Sequence, residues 1–162
     1  MPDICTRPAT VDDLDALRAL YRRSSLSNEG DRPSLLASPD ALHWAGDRLA
    51  TGRTRVATDG LGRILGFATV VDIEGGRELE DLFVDPDAMR RGVATRLVLE
   101  AVADATRDGV PWIEVTANDH AADFYASVGF VRVGDEQTSF GRAPRLRRDV
   151  DLAVDAEDAR SR

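Results

Sequence analysis

Two spacings of hydrophobic positions follow each other along this chain, one typical of helices and one typical of strands. Helical spacing appears early, at Leu14, Leu17, Leu20 and Tyr21. Residues 54–58 and 64–73 are instead rich in β-branched and apolar side chains, as expected of strands. The Asp59-Gly60 pair between them is a typical hairpin turn. This part of the chain therefore predicts a helix followed by an antiparallel strand pair.

The same reasoning predicts the remaining elements. A short first strand at 4–6 precedes the first helix, residues 24–33 form a loop, and a second helix follows Ser38-Pro39-Asp40 and stops near Gly52. Later elements are strands at 78–84 and 112–116, helices at 95–107 and 119–127, and closing strands at 130–133 and 144–152. Hairpins followed by a strand–helix–strand unit predict an α/β (α+β) fold with a mixed sheet. We expect one domain over residues 1–152 and a charged tail at 153–162.

Composition narrows the class of protein. The 162 residues include 21 arginines and no lysine, against 29 acidic residues, for a formal net charge of -8. A negative balance argues against nucleic acid as a partner, because phosphate binding requires a basic surface. Without lysine, the chain has neither a Schiff-base lysine nor the lysine of a P-loop.

Cysteine usage and apolar runs predict the compartment. Cys5 is the single cysteine, so no internal disulfide and no oxidising compartment are implied. The first residues lack the basic and apolar regions of a secretory signal, and charges interrupt the apolar runs well short of a membrane span. We therefore expect a soluble cytoplasmic protein with no membrane partner. His43 and His120 lack the spacing of a zinc site, so no metal is expected.

One segment, residues 79–95, has a pattern associated with chemistry. A strand leads into a turn bounded by Pro86, and Gly92 allows a close backbone approach as a helix begins. The first turn of a helix presents unpaired N–H groups and the positive end of the helix dipole, which attract anions. Arg90 and Arg91 add positive charge with donors matched to phosphate. Two interpretations stay open: a pyrophosphate-binding loop, or an ordinary strand–helix junction with solvated arginines.

This segment resembles the acetyl-coenzyme A signature of the GNAT superfamily of N-acetyltransferases, written Arg/Gln-x-x-Gly-x-Gly/Ala. Gly92 and Ala94 match its two small positions, whereas Met89 stands where the family has arginine or glutamine. In the family, main-chain amides of this loop hold the pyrophosphate. The resemblance therefore implies the same mechanism here, with Arg90 partly substituting at the altered position.

The resemblance extends from about Ile4 to Leu152. Asn118, the Phe124-Tyr125 pair and Gly129-Phe130 resemble a later block of the family. The family fold is a mixed, mostly antiparallel sheet flanked by helices, in which the fourth and fifth strands splay apart around the cofactor. The implied cofactor is acetyl-CoA.

The resemblance also implies which residues bind acetyl-CoA. The fourth strand pairs with the pantetheine arm, and Asn118 contacts the arm after the fifth strand. Tyr125 lies near the sulfur and protonates the departing thiolate, a role that suits a phenol. From the residues alone, the favoured interpretation of Tyr125 is a half-buried core aromatic beside Phe124. The expected cofactor-binding residues are Leu82, Phe83, Val84, Met89, Arg90, Arg91, Gly92, Val93, Ala94, Thr95, Asn118 and Tyr125.

Acetyl transfer to an amine also requires a proton acceptor, since an ammonium group has no lone pair. Period-two alternation places Glu78 and Glu80 on one face of the fourth strand and Asp81 on the other. A carboxylate beside the thioester would accept the proton directly or through water. We expect Glu80 to be the base because it is nearer the expected position of the thioester, with Glu78 second. The alternative is a solvent-facing strand edge with two ordinary carboxylates.

The leading hypothesis is an acetyl-CoA-dependent N-acetyltransferase that acts on a primary amine by direct attack in a ternary complex. The alternative is a non-catalytic acyl-CoA-binding sensor or regulatory module, which the departure at Met89 keeps open. The acceptor is a small-molecule or peptide amine, and residues 25–33 fall where the family builds acceptor specificity. Dimerisation is common in the family, which leaves a homodimer open. Edge protection or an interface is the interpretation of the arginines Arg142, Arg145, Arg147 and Arg148.

Overall fold

The computed structural model describes residues 3–118, 120–139 and 141–151, which form seven strands and four α-helices. The strands are β1 (Cys5–Pro8), β2 (Thr54–Thr58), β3 (Ile64–Ile73), β4 (Gly76–Val84), β5 (Trp112–Thr116), β6 (Val131–Thr138) and β7 (Gly141–Asp149). The helices are α1 (Leu14–Leu26), α2 (Arg32–Ala37), α3 (Val93–Arg107) and α4 (Ala122–Ser127). Leu152 and the predicted tail at 153–162 lie outside the described residues.

The strands form one sheet in the order β1-β2-β3-β4-β5-β7-β6. Pairing is antiparallel between β1 and β2, β2 and β3, β5 and β7, and β6 and β7. By contrast, β4 and β5 are parallel and pair at Arg77 with Ile113 and at Glu78 with Glu114. The expected α/β class, with a mixed and mostly antiparallel sheet, is confirmed.

The chain divides into two compact units, residues 3–69 with 81–97 and residues 70–80 with 98–151. In the first unit, Leu17 and Leu20 lie one turn apart on α1, and both are fully buried. This placement explains the helical spacing seen in the sequence. The buried core of the unit contains Ala9, Leu17, Leu20, Trp44, Leu49, Val56 and Phe67.

In the second unit, alternation along β5 separates a buried face from a charged one. Ile113 and Val115 are buried, and Leu146 of β7 pairs in register with Val115 on the same face. Glu114 lies between the two apolar residues and therefore points to the opposite face. That face carries the charged residues from which the site in this unit is built.

Two close contacts fix the turn between β3 and β4. A Cβ atom on Gly76 would lie 2.4 Å from the ring of Trp112, so only glycine allows this approach. Arg77 is largely buried and donates to Asp72 at 3.0 Å and to Asp108 at 2.8 Å. These ion pairs tie the hairpin to the segment after α3 and position the start of β4, where the candidate bases lie.

The predicted helix after Ser38-Pro39-Asp40 is wrong. The chain instead forms α2 earlier, at Arg32–Ala37, beginning at the end of the predicted loop, and Pro39 starts only a short 3-10 turn. Gly46 has a φ of 72°, which is incompatible with a continuous right-handed helix. Leu42 and Leu49 are nevertheless buried. Their spacing reflects the packing of an irregular segment and not the face of a helix.

The closing strands differ from the prediction: β6 is longer and reaches Thr138, and β7 has the predicted length but begins three residues earlier, at Gly141. The strand order places β7 between β5 and β6, so edge protection by its arginines is wrong. Alternation in the sequence identifies a strand but not its neighbours. β6 is the edge strand on this side of the sheet, and Arg145 and Arg147 of β7 instead bind the inner-strand glutamates Glu78 and Glu114.

Candidate active site

Asp85 fixes the entry to the predicted phosphate loop. Its carboxylate accepts the Asp87 amide at 3.0 Å, while Arg23 and Arg63 donate to it at 2.7 and 3.4 Å. Burial alone would raise the pKa of Asp85, but these hydrogen bonds and charges outweigh it and lower the pKa. The Asp85 amide also donates to the Leu65 carbonyl at 2.8 Å, which ties the end of β4 to β3.

Between β4 and α3, the backbone takes a conformation suited to an anion. Arg90 has a φ of 64°, which is uncommon for a residue with a side chain, and Gly92 has a φ of 81°. A Cβ atom on Gly92 would meet nothing within 4 Å, and Arg90 and Arg91 are exposed. α3 begins at Val93, so its first turn and the two arginines form an open, cationic surface. These features fit the pyrophosphate of acetyl-CoA.

Gly66 brings the end of β4 against the beginning of α3. A Cβ atom there would lie 2.8 Å from the Phe83 carbonyl oxygen, 2.9 Å from Val93 Cγ1 and 3.4 Å from Val84 Cα. The close approach therefore requires glycine. Phe83 and Val84 are half-buried, as is Leu82 before them. The first unit thus brings the strand edge and the phosphate loop of the predicted cofactor site together.

Asp81 has structural partners that sequence reasoning missed. Trp44 Nε1 donates to its carboxylate at 3.0 Å, and the Thr69 hydroxyl bonds to it as well. Burial, the largest effect, raises the pKa of Asp81 above its ordinary value. Thr69 is also bonded to Thr54 at 2.9 Å, so a polar chain crosses three strands and holds the segment before β2. The available signal in the sequence was the position of Asp81, since period-two alternation places this acid on the same strand face as the apolar Phe83.

α4 places Tyr125 in an aromatic cluster. The centroid of its ring lies 5.2 Å from that of Phe124 and 5.3 Å from that of Phe130, both edge-on. The residue is 6% exposed, and burial raises the pKa of the hydroxyl well above its ordinary value. The phenol therefore keeps its proton at neutral pH. The side-chain oxygen of Asn118 accepts the Ala121 amide at 2.9 Å and so fixes the turn into α4.

The candidate bases Glu78 and Glu80 occupy alternate positions of β4. Glu78 is half-buried and Glu80 is exposed. Arg145 binds Glu78 through Nη1, and its Nε donates to Glu114 at 3.0 Å. Glu78 is therefore held by a guanidinium, whereas Glu80 is the more accessible of the two.

Sequence reasoning also missed the partners of the β7 arginines. Arg147 Nε donates to Glu114 at 2.6 Å, and its guanidinium lies 4.3 Å from the centroid of the Trp112 ring. Burial would raise the pKa of Glu114, but hydrogen bonds from Arg147 and Arg145 outweigh it and lower the pKa. The available signal was the alternation of Arg145 and Arg147, which places both on one face of a strand.

The predicted site residues fall into two sets. The first unit holds Leu82, Phe83, Val84, Met89, Arg90, Arg91, Gly92, Val93, Ala94 and Thr95, and the second holds Glu78, Glu80, Asn118 and Tyr125. Met89 and Thr95 are exposed, and Ala94 is half-buried. Within the described ranges, no helix is long and apolar enough to cross a membrane. The same residues contain no group of three or more histidine, cysteine or acidic side chains arranged to hold a metal ion.

Comparison with known proteins identifies the class. Residues 44–142 match the family model described as an acetyltransferase (GNAT) domain. The chain is also 41% identical over 140 residues to the N-alpha-acetyltransferase RimI of Mycobacterium tuberculosis, a match that covers 80% of this chain and 82% of that protein. The chain therefore belongs to the GNAT family of acetyltransferases.

Solved structures agree with the fold. The PaiA N-acetyltransferase of Thermoplasma acidophilum, in complex with coenzyme A, is similar with a TM-score of 0.71 at 18% identity, covering 91% of this chain and 99% of that one. The ribosomal-protein-S18-alanine N-acetyltransferase of Escherichia coli gives 0.68 at 21% identity, covering 93% and 96%. Together with the family match, these findings confirm the predicted N-acetyltransferase class, with acetyl-CoA as the acetyl donor.

Proposed function

We propose that this chain transfers the acetyl group of acetyl-CoA to the α-amine at the N-terminus of a protein or peptide. The observation that carries the proposal is the 41% identity, over 80% of the chain, to a protein named as an N-alpha-acetyltransferase. The exposed Glu80 supports it, because a polymer terminus needs an open face to approach the acetyl donor.

Acetyl-CoA supplies an activated thioester, and the loop 89–95 would hold its pyrophosphate. The first turn of α3 and the exposed Arg90 and Arg91 offer main-chain and guanidinium donors for that purpose. Main-chain groups of 82–84 would align the pantetheine arm, and Asn118 would contact it. Binding in this way supplies the proximity and orientation from which a direct attack gains much of its rate.

Two residues would move protons. Glu80 would accept the proton of the acceptor ammonium, directly or through water, so that the amine nitrogen can attack the thioester carbonyl carbon. As the carbon–sulfur bond breaks, Tyr125 would donate its hydroxyl proton to the departing thiolate. A phenol is protonated at neutral pH even at its ordinary pKa, and burial raises the pKa of Tyr125 further, so the proton that a general acid must donate is present. Glu78 is the second candidate for the base.

A matched peptide panel tests the acceptor. One peptide has a free α-amine and an internal lysine, a second has the same sequence with a formylated N-terminus, and small amines complete the panel. We expect thiol release from acetyl-CoA with the first peptide alone, and mass spectrometry should place the acetyl group on the α-nitrogen. Acetylation confined to lysine or to small amines would contradict the proposal. Tight cofactor binding without turnover on any amine would favour the sensor.

Tyr125→Phe tests the general acid. We expect kcat to fall about 100-fold, the typical scale for losing a positioned acid, because the hydroxyl proton is removed while the ring is kept. Acetyl-CoA affinity, measured by calorimetry, should change little. The matched control is Tyr21→Phe, which removes the other tyrosine hydroxyl of the chain, bonded to the Ala41 carbonyl at 2.7 Å. Unchanged turnover in Tyr125→Phe would rule out Tyr125 as the general acid.

Gly92→Glu tests the phosphate loop. The variant places a carboxylate in the open space where the pyrophosphate would lie, so we expect acetyl-CoA binding to fall below detection by calorimetry. The control is Gly52→Glu, since Gly52 also has a positive φ, of 71°, and open surroundings. Equal cofactor affinity in the two variants would remove the loop from the cofactor site.

A further inference from the structure

The second unit brings two glutamates side by side in the middle of the sheet. Glu78 on β4 pairs in register with Glu114 on β5, so the two side chains leave the sheet at neighbouring positions on one face. Carboxylates placed in this way repel each other, and the repulsion favours protonation of one of them unless a cation lies between them. The cation here is Arg145 of β7.

Arg145 reaches from β7 across β5 to β4. Its Nη1 binds Glu78 and donates to Thr116 Oγ1 at 2.9 Å, and its Nε donates to Glu114 at 3.0 Å. The side chains of Arg145 and Glu114 are only 16% and 11% exposed, so solvent and salt screen their interaction weakly. Arg147, two residues further along β7, donates to Glu114 from the other side.

The candidate bases lie on the face that this guanidinium occupies. Glu78 is one of them, and Glu80 follows it two residues along β4 on the same face. Among the described residues, Arg145 pairs with Glu78 of β4, Glu114 of β5 and Glu136 of β6, the last at 3.6 Å, and Arg147 of β7 pairs with Glu114. Any proton accepted here is therefore accepted within reach of the field of Arg145.

We propose that Arg145 is a positioning residue for acetyl transfer: by binding Glu78 and Glu114 together, it keeps the carboxylates of this face ionised and in place, and so sets the pH range in which the acceptor amine can lose its proton. The inference rests on the proposed function, since it needs a glutamate of this face as the proton acceptor. It does not depend on which of Glu78 and Glu80 fills that role.

Removing the guanidinium of Arg145 should make protonation of the nearby glutamates easier. Glu78 and Glu114 would then face each other without the cation they share, so the pKa of Glu114, which this cation lowers, should rise. Glu80 would sit beside an uncompensated negative charge, which also makes its protonation easier. The acid limb of the kcat/KM profile should therefore move to higher pH, whichever glutamate accepts the proton.

The test compares Arg145→Met with the wild-type protein in two measurements. The first follows the glutamate carboxyl carbons by 13C NMR as the pH is varied. The second records kcat/KM against pH with the free-α-amine peptide. We expect the midpoint of Glu114 to rise, because the guanidinium that lowers its pKa is removed, and the acid limb of the kcat/KM profile to move in the same direction. Arg145→Lys keeps the charge and should restore most of both shifts.

The control is Arg142→Met, an exposed arginine on the same strand, which should change neither measurement. If Arg145→Met does not fold, Arg145→Gln takes its place. Unchanged carboxyl midpoints, or shifted midpoints with an unmoved acid limb, would overturn the inference. If the wild-type protein acetylated no amine, the proposed function would be wrong. The NMR measurement would still show whether Arg145 controls the protonation of these glutamates.

Discussion

Two largely buried carboxylates of this fold, Asp81 and Glu114, respond to burial in opposite ways. In the first unit, Asp81 is bound by the indole N–H of Trp44 and the hydroxyl of Thr69, and burial raises its pKa. In the second unit, Glu114 is bound by two arginines of β7, whose hydrogen bonds lower its pKa in spite of burial. Desolvation acts on both groups, and the partners decide the sign.

The difference shows what each kind of partner can do. Neutral donors hold Asp81 in place, but burial still destabilises its ionised form. The group can therefore take up a proton without losing a counter-ion. Guanidiniums fix the charge of Glu114, because protonating it would strand two cations. The first arrangement anchors a segment, here the one that carries Trp44. The second maintains a charged face, the one on which we propose that proton transfer occurs.

The largest expected effect is a difference in stability between the variants that neutralise Glu114 and Asp81. Glu114→Gln leaves Arg145 and Arg147 without their shared counter-ion, so we expect the free energy of unfolding to fall by about 2 kcal/mol, as for loss of hydrogen bonds to charged groups. Asp81→Asn keeps an acceptor for the indole of Trp44 and should change stability by less than about 1 kcal/mol. Urea denaturation at neutral pH measures both. Equal losses in the two variants would break the contrast.

A smaller effect is expected in the pH dependence of stability, where Glu114 and Asp81 should differ in sign. The folded-state pKa of Glu114 is lowered, so its contribution to stability is present above its unfolded value, about 4.3, and is lost as the pH falls through the folded value. The folded-state pKa of Asp81 is raised, so its contribution is complete below its unfolded value, about 3.9, and is lost as the pH rises through the folded value. The two groups should therefore give opposite slopes.

Urea midpoints between about pH 2.5 and 7 read these slopes as differences from wild type, since the Glu114 contribution changes only below its unfolded value. The stability gap between wild type and Glu114→Gln should narrow as the pH falls. Over the same range, wild type should gain stability relative to Asp81→Asn. Other titrating groups, such as Asp85, contribute equally to each pair and cancel in the difference. Two slopes of the same sign would show that burial alone, and not the partners, governs both carboxylates.

Local patterns in the sequence predicted most of the fold because local chemistry determines those parts. Runs of β-branched and apolar residues identified β2, β3 and β5 with the bounds that the structure has, and the predicted helix after Gly92 is α3, which begins two residues earlier than predicted. The segment around Leu42 and Leu49 could not be predicted in this way. Its apolar spacing imitates a helix, while its conformation depends on tertiary packing and on the turn at Gly46.

The candidate site shows the same contrast between local motifs, which can be predicted from the sequence, and long-range pairs, which cannot. The proposed phosphate loop is continuous in sequence, so its glycine, arginines and helix start could be considered together as one motif. The partners of Asp81 and Glu114 come from residues 37 positions away, at Trp44, and 31 and 33 positions away, at Arg145 and Arg147. Such pairs depend on strand order, and the position of β7 beside β5 cannot be derived from alternation.

The smallest expected effect concerns the geometry of one cation and not its charge. Arg147→Lys keeps the positive charge beside Glu114 but loses the planar guanidinium, which donates through Nε and lies 4.3 Å from the centroid of the Trp112 ring. We expect a loss of about 0.5–1 kcal/mol in the free energy of unfolding, from the weaker stacking and hydrogen bonding. The pH slope assigned to Glu114 should persist, because the cation persists. If Arg147→Lys abolished that slope, geometry and not charge would be what distinguishes Glu114 from Asp81.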